Sequence, residues 1–134
     1  MDEQFWISHR AAEDRMSRAW IAGAAHAAVF FVLGGLAWSA GTLRDWTDAI
    51  PFGYGLVVLL LAFALGRHNR PAGALLLGLT LWVEGGAWLH RRSLLTLGML
   101  VVFAPIYALG LVGAVSWHRL EHQRRRAETI SPAP

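Results

Sequence analysis

The sequence predicts an all-α membrane protein, a bundle of four transmembrane helices with a short N-terminal amphipathic helix. Three observations carry this. Apolar residues make up 55% of the chain and charged ones 16%, against about 45–50% and about 25% in soluble domains. The mean hydropathy is +0.41. The charges also fall in clusters that leave four long apolar runs between them. A soluble chain of 134 residues has too little interior to hide that much hydrocarbon. The absence of cysteine rules out a disulfide scaffold and a zinc ribbon, and the apolar content rules out disorder.

Residues 1–18 read as a cytoplasmic amphipathic segment. Phe5, Ile7, Ala12 and Met16 make an irregular apolar side, while Glu3, Arg10, Glu13 and Asp14 make the polar one. A solvated extension of the first span is the alternative. The transmembrane domain covers 19–118. Its first span, 19–40, follows from the absence of charge between Arg18 and Arg44. This run is too long for the hydrophobic region of a cleaved signal, and four acids precede it, so it is expected to be retained. The second span, 51–67, starts at Asp48 and Pro51, a proline suited to a first helical turn. The third, 71–90, begins at Pro71 after a short turn and holds a single acid, Glu84. The fourth, 93–117, contains Pro105, which should remove a backbone hydrogen bond and bend the helix. Each run approaches the roughly 20 residues that a spanning helix needs. Residues 119–134 form a basic cytoplasmic tail, Arg124-Arg125-Arg126 followed by a Ser-Pro-Ala-Pro end, partly disordered and in contact with anionic lipid.

All twelve basic residues are arginine. With the N-terminus inside, nine of them face inward and only Arg44, Arg91 and Arg92 face outward. That asymmetry predicts both termini in the cytoplasm. Trp20 and Trp117 then mark the inner interface, and Trp38, Trp46 and Trp88 the outer one. Arginine without lysine suggests a GC-rich bacterium, hence a multi-pass protein of the inner membrane. Arg18, Arg67, Arg70, Arg124, Arg125 and Arg126 are the expected headgroup contacts, and the basic charge reads as topology, not nucleic-acid binding.

Glu84 lies six residues before His90, about 9 Å from the outer helix end, with Thr80 one turn away on the same face. Tyr54 should sit at a comparable depth. A proton-accepting carboxylate or a small-ligand pocket is one reading. The ordinary one is a glutamate paired to Arg44, Arg91 or Arg92, or reaching the outer headgroups. His26 lies eight residues past Arg18, about 12 Å from the inner end, with Tyr107 at a similar level. On this arithmetic Glu84 and His26 occupy different layers and do not form an acid–base pair. A neutral imidazole bonded across helices is the ordinary reading of His26.

No cofactor is expected. A haem or other pigment on His26 or His118 stays as an alternative, although His26 lacks a histidine partner at matched depth. His118-Arg119-Leu120-Glu121-His122 spells an inverted zinc-protease pattern, but only a twelve-residue tail follows, so His118 and His122 read instead as part of a basic interfacial cap. Small residues recur at helical spacing: Gly23 and Ala27 in the first span, Ala74 and Gly78 in the third, Gly110 and Ala114 in the fourth. Such faces allow close helix approach. An outward face on the first or fourth span would leave Ala27 or Gly110 to a partner.

From Phe52 onward, the Arg67-His68-Asn69-Arg70-Pro71 hairpin and the final Trp117-His118-Arg119-Leu120 segment resemble a group of uncharacterised bacterial four-span inner-membrane proteins. Those proteins end in an aromatic-His-Arg/Lys-Leu segment. The resemblance implies the topology, and no activity or functional residue. The expected function is that of a non-catalytic accessory or structural subunit packing against a larger bacterial membrane assembly or itself. The alternatives are a small transporter or channel component using Glu84, and a haem- or metal-binding redox protein using His26 or His118.

Overall fold

The computed structural model describes residues 2–41 and 50–130, and these are helical almost throughout. Four helices follow one another: α1 (Glu3–Ser39), α2 (Ile50–Gly66), α3 (Arg70–Arg91) and α4 (Leu94–Ile130). α1, α3 and α4 are long and apolar enough to cross a membrane, and α2 is a shorter apolar helix. The second-span start expected at Asp48 lies outside the described residues, as do Arg44 and Trp46.

Local chemistry sets the ends. Asp2 caps α1 by accepting from the Phe5 amide at 2.9 Å. Asn69 caps α3 through the Ala72 amide at 3.1 Å, with Pro71 in the first turn. Between α2 and α3, the His68 amide donates to the Leu65 carbonyl and the Asn69 amide to the Ala64 carbonyl. This doubly bonded helix end places His68 at φ +68°, the left-handed position that glycine usually takes.

The helices form a square, each antiparallel to its neighbours. α1 packs on α2 and α4, and α3 packs on α4 and α2, leaving α1 and α3 on a diagonal. Small residues set the spacing. A Cβ placed on Gly23 would collide with Ala62, and one on Gly110 with Ala19. The core around them is Met16, Ala19, Ala27, Val58, Ala62, Leu65, Leu76, Tyr107 and Ala114.

Two elements differ from the sequence expectation. The N-terminal segment is no separate interfacial helix, because α1 runs unbroken from Glu3. Likewise α4 passes Pro105 and Trp117 and continues to Ile130. At about 1.5 Å per residue these two helices of 37 residues each reach about 55 Å, well beyond a hydrocarbon layer of about 30 Å. Their ends pair into a two-helix projection. Phe5, Ala12 and Met16 are buried along it, and Gly113 admits α1 so closely that an added Cβ would lie 2.8 Å from the Ala12 carbonyl oxygen. The apolar stripe of the first 18 residues is used against α4, which the charged runs at both chain ends concealed.

Candidate functional site

All four helices send a side chain to one buried point. On α1, Ala19, Gly23 and Ala27 keep neighbouring backbones close, and His26 projects beside them with 0% exposure. Phe103 of α4 stacks flat on the imidazole, with ring centres 4.3 Å apart and planes 5° apart. His26 Nδ1 lies 2.7 Å from the hydroxyl of Tyr107, one turn further along α4. Across the diagonal, His26 Nε2 hydrogen-bonds to Glu84 Oε1 of α3. Glu84 is 2% exposed, and Thr80, one turn away on the same face, is fully buried. Tyr54 of α2 stands edge-on to His26 and to Phe30, with ring centres 6.1 and 4.7 Å away. Its hydroxyl faces Thr80 without a well-formed hydrogen bond, and Glu84 Oε2 also lacks a partner.

The proton count at this point has two solutions. In one, Tyr107 donates to Nδ1 and Nε2–H donates to a carboxylate, so every proton has an acceptor but one negative charge is buried. With one proton more the site is neutral. Either Glu84 Oε2 carries that proton, or Nδ1–H donates to the Tyr107 oxygen while Nε2 and Glu84 share the other; each arrangement leaves one hydroxyl hydrogen without an acceptor among the described residues. A buried charge thus weighs against one unmade hydrogen bond, the latter costing about 1–3 kcal/mol.

Glu84 and His26 therefore meet directly, where the sequence arithmetic kept them in separate layers. Counted from the shared end at which Trp20 touches Gly66 and Leu65 touches Gly73, His26 is six residues up α1 and Glu84 eleven up α3. Their backbones differ in height by about 7 Å at 1.5 Å per residue. Helical side chains lean toward the helix N-terminus, and the long glutamate leans down that gap. Glu84 is not paired to Arg91 or Arg92; Arg92 lies over the Trp88 ring at 4.9 Å instead. The signal available in the sequence was the shared level of His26 and Tyr107, and the structure puts these two in contact.

The other candidates lie elsewhere. Gly23, Ala27, Gly110 and Ala114 are buried inside the bundle, so Ala27 and Gly110 are not open to a partner. Ala74 and Gly78 are exposed on α3, and nothing lies within 4 Å of the position a Cβ would take on Gly78. His118 Nε2–H donates to the His68 carbonyl at 2.7 Å, and Glu121 is engaged by Arg124 and Arg125. The inverted zinc-protease spelling therefore does not assemble, and no group of three or more potential metal ligands occurs among the described residues. Both His26 nitrogens are engaged, so His26 offers no lone pair to a haem iron in this arrangement. Among the headgroup candidates, Arg18 pairs with Asp14 at 3.0 Å, Arg124 also approaches Glu128, and Arg67 lies over Phe63. Arg70, Arg125 and Arg126 are exposed.

No protein-family model, curated protein or solved structure matches the chain.

Proposed function

We propose that this chain is a small integral membrane protein that takes up and releases a proton at Glu84, His26 and Tyr107, as a component of a transporter or channel. The observation that carries the reading is the hydrogen-bonded chain of these three side chains, buried at the centre of a bundle whose outer surface is apolar. Ionisable groups at such depth are costly and mark proton or ion pathways more often than packing.

The membrane is proposed to be a bacterial inner membrane with both termini cytoplasmic. Arg10, Arg15, Arg18, Arg67, Arg70, Arg119, Arg124, Arg125 and Arg126 all belong to the end of the bundle that carries the projection, which supports that orientation.

Infrared difference spectra of the protein in lipid vesicles test the reading. A carboxyl band is expected to change after a pH jump, to vanish in Glu84→Gln and to shift in Tyr107→Phe. A spectrum without any carboxyl change that depends on Glu84 would overturn it.

A second reading, an accessory subunit of a larger assembly, is supported by the exposed Ala74 and Gly78 on α3. Gly78→Leu should then abolish co-purification in mild detergent while the folded monomer survives. Unchanged migration of the variant in a large complex, or a native protein that runs alone, counts against it.

A further inference from the structure

Beside the start of α3, a cleft of about 580 Å³ opens between Arg70 and α4, where Trp117, Arg119, His122 and Arg125 line it. Arg119, His122 and Arg125 stand three residues apart and stack on successive turns of α4, with Trp117 at the cleft's margin. The opposite wall is held in place from two sides. The Asn69 cap fixes the first turn of α3, and the hairpin is latched to α4 by His118 on the His68 carbonyl and by His68 stacked on Trp117 at 4.0 Å.

The chemistry of the lining is one-sided. Its single carboxylate, Glu121, is engaged by Arg124 at 2.9 Å and by Arg125 at 3.4 Å. Arg70, Arg119 and His122 have no ion pair or hydrogen bond among the described residues. The indole N–H of Trp117 is buried without an acceptor. Guanidinium and indole groups only donate, and the one carboxylate is already held, so donors and positive charge predominate in the cleft. Its volume lies within the range of about 300–1,000 Å³ common to small-ligand sites.

We infer that this cleft binds a phosphate group, with Arg70 and Arg119 gripping its oxygens from opposite walls. Phosphate supplies several strong acceptors and negative charge at once, which forked guanidinium donors match. The group can belong to an anionic phospholipid, since the cleft lies where α3 and α4 leave the apolar part of the bundle, or to a free phosphate. The site is separate from the proton site and stands or falls independently of it.

The test uses the full chain from vesicles of phosphatidylcholine with phosphatidylglycerol, and a lipid-depleted sample titrated with inorganic phosphate. Native mass spectrometry should find phosphatidylglycerol retained on the wild type and reduced about tenfold in Arg70→Gln/Arg119→Gln, the loss expected for a charge-assisted contact. Arg10→Gln, an exposed arginine outside the cleft, should retain it. If inorganic phosphate instead changes Trp117 fluorescence, with the same dependence on Arg70 and Arg119, the source is free phosphate. Equal loss in Arg10→Gln, or no dependence of either probe on Arg70 and Arg119, overturns the inference.

Discussion

The four-helix part of the bundle encloses a polar centre within its apolar core, and the two-helix projection buries an apolar seam alone. In the bundle the centre holds His26, Glu84 and Thr80, while Trp82, Leu75 and Leu60 face outward. In the projection the seam holds Phe5, Ala12 and Met16, while Arg10, Asp14 and Arg18 face outward. One continuous helix, α1, takes part in both. Around the polar centre the outer surface is apolar, whereas along the apolar seam it is charged, so α1 changes its pattern of burial along its length.

Breaking the polar centre should have the larger effect. Glu84→Ala leaves His26 with an unsatisfied ring nitrogen, and losing one partner of a buried pair typically costs about 3–5 kcal/mol. Replacing both partners, His26→Leu with Glu84→Met, should recover most of that stability and none of the pH-dependent carboxyl signal. Thermal unfolding in detergent measures both variants. A double variant as unstable as the single would mean that shape, not polarity, dominates the centre.

The projection should respond less, and to a different lever. Met16→Ala removes a buried thioether chain at its base, and a loss of about 2–3 kcal/mol is expected at a seam between two helices that can partly close. Hydrogen exchange should then rise in residues before Arg18 and after Trp117 but not around His26. If protection falls equally at both places, the two parts unfold as one unit and the contrast between them is only one of composition.

The spans were legible because runs of apolar residues bounded by arginine encode length directly, and length decides what can cross a bilayer. The projection was not. Its apolar positions are few, Phe5, Ala12 and Met16 among charges, and such a sparse stripe fits a lipid surface as well as a partner helix. In the site, Tyr107 and His26 could be levelled by counting. The bond between Glu84 and His26 could not, because counting gives the height of backbones, whereas glutamate reaches several ångströms from its own. The outward or inward direction of Gly110 and Gly78 was equally hidden, since small residues at the same spacing serve either side.

The close packing of α1 has a consequence for how the helices find their places. Ala19, Gly23 and Ala27 repeat every four residues and are all buried. Sliding α1 by one turn, about 5.4 Å, would set Ala19 or Ala27 where Gly23 had been and drive a methyl group into Ala62. Steric fit thus rejects the neighbouring offsets. Glu84 and Tyr107 select the same one, because it brings both to the two nitrogens of a single imidazole. Gly23 and His26 together are the teeth that fix the alignment of α1, one by shape and the other by polarity.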